Sequence, residues 1–381
     1  MDDPVALLAA QYFEQVDPPN LSIPDGPTLV TPAIQNAIYK NMFMEDTAWP
    51  LPPASYQTRA LKVIIARIDE AICDPEEDEI LDSLLEKWTS LLSTPRSSAL
   101  EQAQKLTYIK YTAPSSAATS ESTESRTIIT SENRSLILAS GTTGFRTWEA
   151  ALHLGTFLST TNIGQSLVAG KRVLELGAGT GFLSFLCAKH LGTESILVTD
   201  RDPTLLEQID DCIGKNGLEK TKIRTGIWEW GSPLQVPSFS HEEESGTESG
   251  PASFDIALGA DLIYDVDLVP LLVSTIRDLF DIYSLNEFVI SATVRNEDTF
   301  RTFLEVCGKL SPPARLPLTF QRCFSSLLFL SCRHLISCLS VERNRLAVDQ
   351  IPFDSPPRET QTGFFHSTNI PIRTYRIKAS S

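Results

Sequence analysis

The fold of this chain follows from the stretch VLELGAGTGFLS, residues 173–184. An apolar run that contains the carboxylate of Glu175 is followed by glycines at positions 177, 179 and 181, and then by an apolar helical pattern. This order predicts a strand, a tight turn and a helix. Glycine has no Cβ to hold the backbone away from a ligand, and the start of a helix offers free N–H groups. The turn is therefore predicted to contact a flat or anionic ligand.

The spacing of these glycines narrows the choice of ligand. A dinucleotide fingerprint, G-x-G-x-x-G, requires a glycine where this chain has Phe182, and a phosphate loop requires a lysine that does not follow here. The remaining pattern, E-x-G-x-G-x-G, resembles motif I of S-adenosylmethionine-dependent methyltransferases with a Rossmann-like sheet. Adenosylmethionine carries an ammonium and a sulfonium, and a carboxylate at Glu175 would attract these positive charges. A glycine turn used only for packing is the alternative.

Composition and charge limit the class of protein. A chain of 381 residues, 42% hydrophobic and 21% charged, is long enough for one large α/β domain plus an accessory region. The net charge of −16 disfavours nonspecific nucleic-acid binding and suits a basic protein partner. The N-terminus lacks a secretory signal, no run reaches the ~20 apolar residues of a membrane span, and the seven cysteines include no C-x-x-C. We therefore expect a cytoplasmic protein without a metal, a nucleic-acid partner or a membrane anchor.

The chain divides into three predicted parts. Residues 1–113 carry apolar residues at helical spacing between prolines, which predicts a helical N-terminal region. Residues 114–126, PSSAATSESTESR, are polar and of low complexity, which predicts a flexible linker. The third part is residues 127–381, where residues 127–130 and 136–139 are predicted to form two short strands around a turn.

From residue 171 onward the predicted strands alternate with helices, which indicates parallel β-α-β units. Ligands bind at the carboxyl ends of the strands in such sheets. Asp200 ends the second of these strands, where a carboxylate accepts hydrogen bonds from ribose hydroxyls, whereas Asp202 suits the cap of the next helix. In GIWEWG, Trp228 and Trp230 follow the third strand, and either indole is suited to stack on adenine. Trp148 is placed to lie over a planar or sulfonium-bearing ligand, with core packing as its alternative.

Together these segments resemble methyltransferase family 16, the seven-strand protein-lysine methyltransferases, and within it the eukaryotic elongation factor 2 lysine methyltransferases. The resemblance rests on GTTGFRTWEAA, VLELGAGTGFLS, VTDRDP, WEWG, GADLIYD and QTGFFHSTNIPIRTYRI. It implies an α/β, Rossmann-like class I methyltransferase sheet of seven strands, mostly parallel with the last strand antiparallel, and a helical N-terminal region. It also implies S-adenosyl-L-methionine as the cofactor and elongation factor 2 as the protein substrate. We expect the enzyme to be a monomer.

The resemblance also implies roles for individual residues. The predicted contacts of adenosylmethionine are Trp148, Glu175, Gly177, Ala178, Gly179, Gly181, Asp200, Trp230 and Ala260. Of these, Glu175 and Gly181 belong to motif I itself. Trp228 competes with Trp230 for the adenine. The D-x-x-Y segment, Asp261 to Tyr264, is implied to be catalytic: Asp261 accepts a hydrogen bond from the substrate amine, and Tyr264 forms a wall of the lysine channel. The alternative is that Asp261 only caps the helix starting near residue 266, or that Tyr264 belongs to the core.

Two segments depart from the pattern of the domain. Residues 232–253 form an acidic, Ser/Gly/Pro-rich stretch that is predicted to be a disordered loop. Residues 311–343 interrupt the family pattern before a predicted strand near residues 346–353, and our hypothesis is a translated intron or a species-specific insertion. Alternative functions are methylation of another protein or of a small molecule, and a noncatalytic module that binds the cofactor.

Overall fold

The computed structural model describes residues 3–95, 98, 105–114, 126–134, 143–234, 253–308 and 346–380. Four sequence predictions fall wholly or largely outside these residues. They are the linker (115–125), the strand at 136–139, most of the acidic loop (235–252) and the insertion at 311–343.

A seven-stranded sheet forms the centre of the protein, and a separate two-stranded sheet precedes it. The strands are β1 (Thr107–Thr112), β2 (Thr127–Glu132), β3 (Arg172–Leu176), β4 (Ser195–Asp200), β5 (Ile223–Ile227), β6 (Ile256–Ala260), β7 (Glu287–Thr293), β8 (Leu346–Ile351) and β9 (Ile372–Ala379). The central order is β5-β4-β3-β6-β7-β9-β8, in which β3 to β7 are parallel and β9 is antiparallel to both of its neighbours. The predicted Rossmann-like class I methyltransferase fold is confirmed, including its antiparallel last strand.

Helices cover both faces of this sheet. The helices of the described residues are α1 (Ala6–Phe13), α2 (Gly26–Leu29), α3 (Pro32–Ile38), α4 (Ala54–Ala71), α5 (Asp82–Ser93), α6 (Glu149–Thr160), α7 (Asn162–Val168), α8 (Phe182–His190), α9 (Pro203–Lys215), α10 (Val269–Asp281) and α11 (Glu297–Val306). Apolar residues of α6 to α9 pack with Val173 on one face, and those of α10 and α11 pack with Leu174 on the other. Because successive side chains of a strand point to opposite faces, β3 is buried on both sides, and its residues Val173, Leu174 and Leu176 are apolar.

The N-terminal helices α1 to α5 build a core of their own, which includes Leu8, Tyr12, Phe43 and Ile64. Phe365, from the C-terminal part of the chain, is buried in the same core. The N-terminal helices therefore pack directly against the sheet-containing part of the chain.

Strand β1 lies inside the region that was predicted to be helical. Its residues Ile109 and Tyr111 are buried and alternate with partly exposed ones, and its β-branched and aromatic residues favour a strand. It pairs antiparallel with β2, from Thr107 opposite Glu132 to Thr112 opposite Thr127. The helical prediction failed here because a period of two over only six residues is a weak signal when the pairing partner is distant in sequence.

In the described part of the chain, no helix is both long enough and apolar enough to span a bilayer. The cysteines described there are free thiols, of which Cys187, Cys212 and Cys307 are buried and Cys73 is exposed.

Candidate functional site

A cavity of about 290 Å³ opens at the carboxyl ends of β3, β4 and β6. The order of the central sheet changes direction between β3 and β6, and ligands of such sheets bind at this point. The cavity brings together most of the predicted site residues, namely Trp148, Glu175, Gly177, Ala178, Gly179, Asp200, Trp228, Trp230, Ala260, Asp261 and Tyr264. Its volume is near the lower end of the range for small-molecule sites.

The glycine turn lies flat against its neighbours. Gly177 and Gly179 have φ angles of +61° and +55°, and residues with a Cβ atom rarely adopt such positive values. A Cβ on Gly179 would lie 3.0 Å from the carbonyl oxygen of Gly144. The Gly179 N–H donates to Asp200 Oδ2 at 3.0 Å, and the Ala178 N–H donates to the Thr199 carbonyl at 2.9 Å. Glycines at 177 and 179 therefore allow the turn to pack closely against Leu262 and the backbone of Gly144.

Gly181 differs from the other predicted contacts because it is not part of the cavity wall. It is the residue that precedes α8, has a φ of +73°, and packs so closely on Ile209 that an added Cβ would come within 3.0 Å of that side chain. These contacts indicate a structural role at the start of α8, and a contact of Gly181 with the cofactor stays a prediction. Motif spacing alone does not separate a glycine that faces the ligand from one that faces a helix.

Glu175 lines the cavity and also holds the start of α8. Its Oε2 atom accepts hydrogen bonds from the Ser184 N–H at 2.9 Å and from the Ser184 hydroxyl. The Ser184 N–H is one of the groups at a helix start that lack a partner within the helix, and Gly181 has no side chain to cap it. Burial raises the pKa of Glu175 to about 8, and the bonds from Ser184 oppose this shift.

Asp200 ends β4 and is aligned by backbone groups. Its two oxygens accept hydrogen bonds from the N–H groups of Gly179 at 3.0 Å and Asp202 at 3.1 Å. Burial raises its pKa. Asp202 accepts from the Thr204 N–H and caps α9, as the sequence predicted. Asp200 is therefore not needed as a helix cap.

The two indoles after β5 are placed differently. Trp228 is 2% exposed, packs among the core residues of α10, and donates from Nε1 to the Ser232 carbonyl at 2.9 Å. Trp230 is partly exposed, and its ring would lie 3.4 Å from a Cβ on Gly177. Trp230 is thus the indole that stands next to the glycine turn.

Asp261 adopts a left-handed backbone conformation, with a φ of +52°, at the end of β6. Its Oδ1 accepts from the Thr293 N–H at 2.7 Å, and its Oδ2 accepts from the Thr293 hydroxyl at 3.1 Å. Burial raises its pKa, and the guanidinium of Arg295 opposes this. Helix α10 begins only at Val269 and has no side-chain cap, so Asp261 is not a helix cap. Tyr264 is 53% exposed at the cavity and is not a core residue.

Sequence reasoning missed Arg295, which lines the same cavity. Its guanidinium carbon lies 5.1 Å from the centroid of the Trp148 ring, as does that of Arg146. The Trp148 Nε1 donates to the Thr143 carbonyl at 3.0 Å, which fixes the orientation of the indole. Arg295 follows β7 by two residues, and this position at the carboxyl end of a parallel strand is the signal that would have found it.

The residues of this cavity fit S-adenosylmethionine. The acidic side chains of Glu175 and Asp200 line the cavity, and so do the indole of Trp148 and the backbone of the glycine turn. No group of three or more side chains suited to hold a metal ion occurs among the described residues. This sheet and this cavity define a class I methyltransferase.

Comparison with known proteins gives the family. A family model described as lysine methyltransferase matches residues 138–309. The protein-lysine N-methyltransferase EFM3 of Chaetomium thermophilum is 42% identical over 291 residues, which cover 76% of this chain and 83% of that protein. The EEF1A lysine methyltransferase 3 of Mus musculus is 34% identical over 35% of this chain and 50% of its own length. The protein-lysine N-methyltransferase EEF2KMT of Mus musculus is 25% identical over 46% of this chain and 52% of its own length.

This chain belongs to the lysine methyltransferase family. It is a protein-lysine N-methyltransferase, and S-adenosylmethionine is its methyl donor.

Proposed function

We propose that this enzyme methylates a lysine of translation elongation factor 2, with Asp261 and Tyr264 at the acceptor side of the cavity. The observation that carries the proposal is that the glycine turn, Asp200 and the D-x-x-Y segment all line one cavity. The choice of elongation factor 2 is supported by the GTTGFRTWEAA motif and by the relative named EEF2KMT.

Methyl transfer from a sulfonium is an in-line displacement that needs a neutral amine and correct alignment. At pH 7 the neutral form of lysine lies about 4.6 kcal/mol above the ammonium, since its reference pKa is near 10.4. In the proposed reaction a carbon–nitrogen bond forms, the carbon–sulfur bond breaks, and the amine loses its proton to solvent. Asp261 orients the amine by accepting a hydrogen bond, and Tyr264 excludes water from one side of the lysine channel.

The other cavity residues would hold the cofactor. The backbone of Gly177, Ala178 and Gly179 allows close approach, and the Asp200 carboxylate accepts from ribose hydroxyls. The indoles of Trp148 and Trp230 offer flat faces to the sulfonium end and to the adenine, while Glu175 and Ala260 complete the wall. When bound, S-adenosylmethionine supplies the methyl group as an electrophile.

The N-terminal helices are proposed to help select the client. The surface of this N-terminal region exposes large apolar side chains, including Trp49 at 50% in the loop before α4 and Leu92 at 56% on α5. Removing residues 1–113 would expose the core around Phe365, so exchanging Trp49 or Leu92 for Ala is the cleaner test of client selection. The proposal places a monomeric enzyme in the cytoplasm, beside the translation machinery.

Elongation factor 1A is the second candidate client because one relative is named EEF1A lysine methyltransferase 3. The test is incubation of the purified enzyme with labelled S-adenosylmethionine and either purified factor, followed by mass spectrometry of the labelled peptides. Methyl-lysine on elongation factor 2 alone is the expected result. Label on elongation factor 1A alone would reassign the client, and label on neither factor would overturn the proposal.

A further inference from the structure

Arg295 holds two carboxylates beside the proposed acceptor site. Its Nη2 atom lies 3.3 Å from Asp261 Oδ2 and 3.2 Å from Glu149 Oε2, and its Nη1 atom lies 3.4 Å from the same Asp261 oxygen. The guanidinium also lies over the Trp148 ring. One cation thus connects the residues after β7, the first residue of α6 and the D-x-x-Y segment.

Two unpaired carboxylates would be a poor environment for the acceptor amine. An opposite charge within about 4–6 Å favours the ammonium form and raises the pKa of a lysine by about 1–3 units. Only the neutral amine is a nucleophile, and an ordinary lysine is neutral in roughly 1 molecule of 2,500 at pH 7. Asp261 and Glu149 alone would lower that fraction by about tenfold for each added pKa unit.

We propose that Arg295 is a positioning residue that offsets the negative charge of Asp261 and, together with Arg146, that of Glu149, so that the acceptor lysine approaches Asp261 as a neutral amine instead of being trapped as an ammonium ion. This inference rests on the proposed role of Asp261. Arg295 acts through the two carboxylates, and it need not touch the substrate.

The charges around Asp261 support this assignment. Arg295 faces it from the segment after β7, and Glu149 faces it from α6. Arg146 lies 3.9 Å from Glu149, so these four side chains together carry no net charge. The remaining titratable groups of the cavity wall are Tyr264, Asp200, Arg201, Glu175 and Glu229.

Arg295 is not required to keep Asp261 in place. The N–H and the hydroxyl of Thr293 hold both carboxylate oxygens of Asp261 independently. The Arg295 side chain is 41% exposed, whereas that of Asp261 is 9% exposed, so Arg295 is not a core residue. Removing its charge should therefore change the electrostatics of the site and leave its geometry intact.

The test compares Arg295→Met, which removes the charge and keeps most of the bulk, with Arg295→Lys, which keeps the charge. Single-turnover methylation of the elongation factor at saturating cofactor is measured from pH 6.5 to 9.5, and cofactor affinity is measured by calorimetry. Arg295→Met should be about 10- to 1,000-fold slower at pH 7. Its pH profile should level off at higher pH than that of the parent, so that the deficit shrinks as the pH rises. Arg295→Lys should follow the parent profile.

An equal deficit at every pH, a parent-like Arg295→Met, or an Arg295→Lys as defective as Arg295→Met would each overturn the inference. In the background of Asp261→Asn, adding Arg295→Met should slow the reaction less than it does in the parent, because one of the two negative charges that Arg295 offsets is gone. Failure of the proposed function looks different, since the parent enzyme would then methylate neither elongation factor at any pH.

Discussion

The hydroxyl oxygens of Thr147 and Thr180 lie 2.7 Å apart, in a buried contact between the segment before α6 and the glycine turn. Thr147 donates its one proton to Glu132 Oε1 at 2.7 Å, so Thr180 must be the donor to Thr147. Glu132 pairs with Arg134 at 3.1 Å, and Arg134 donates to the main-chain carbonyl of Glu14 at 2.6 Å. A continuous chain of hydrogen bonds therefore connects the N-terminal helices with the glycine turn.

Thr180→Val should weaken cofactor binding by about fivefold. The exchange keeps the shape of the side chain and removes one buried hydrogen bond, which is worth about 1 kcal/mol. Calorimetric titration with S-adenosylmethionine measures the change. Thr180→Ser keeps the hydroxyl and serves as the matched control. Equal affinity of Thr180→Val and the parent would show that this hydrogen bond does not support cofactor binding at the glycine turn.

Asp261→Asn should lower the turnover number by about 10- to 150-fold, as expected for the loss of a hydrogen bond of about 1.5–3 kcal/mol to a charged acceptor. Asn is a better exchange than Ala because it tolerates the left-handed backbone at this position, where φ is +52°. Cofactor affinity should be unchanged within error by calorimetry. If the affinity falls together with turnover, Asp261 belongs to the cofactor site instead.

Trp230→Ala should weaken binding of S-adenosylmethionine by about 5- to 150-fold if this indole stacks on the adenine, since stacking of a base on an aromatic ring is worth about 1–3 kcal/mol. Trp228→Phe is the comparison, because Trp228 is buried in the core and most of its packing survives that exchange. Stability to urea is measured in parallel. A larger loss of affinity in Trp228→Phe than in Trp230→Ala would reverse the assignment.

Glu175→Gln should change how stability depends on pH. Burial raises the pKa of Glu175 from 4.5 to about 8, so between these values the native state keeps a proton that the unfolded chain has released. The stability contribution of the proton is complete below pH 4.5 and is lost as the pH rises to about 8. Gln resembles the protonated carboxyl and does not titrate.

The free energy of unfolding of Glu175→Gln, relative to the parent, should therefore rise with pH by up to about 1.4 kcal/mol per pH unit across this window. Urea unfolding at three pH values between 5 and 8 measures this difference. Glu229→Gln, which removes an exposed carboxylate from the same cavity, is the control for the loss of one charge. A difference that stays constant with pH would mean that Glu175 is ionised in the native state.

Much of the architecture was predictable because its signals are local. The apolar runs of β3, β4, β6 and β7 are each bounded by turn residues, and buried parallel strands produce such runs. Asp200, Ala260 and Asp261 were predicted as site residues at the carboxyl ends of these strands, and all three line the cavity. Strand β1 was missed because its partner β2 lies about 20 residues away, across a segment with no strand signal of its own.

The sequence by itself determined the class of the fold and the side chains that end its parallel strands, since strand and helix periods and a glycine turn are properties of neighbouring residues. Only the tertiary structure decided which of these side chains line the same cavity. It placed Gly181 against Ile209 instead of the cavity, bound Glu175 to Ser184, and brought Arg295 between Asp261 and Glu149. Residues 149 and 295 are far apart in the chain, and a contact between their charges leaves no local pattern in the sequence. The contact exists only because packing brings the ends of β6 and β7 next to the start of α6.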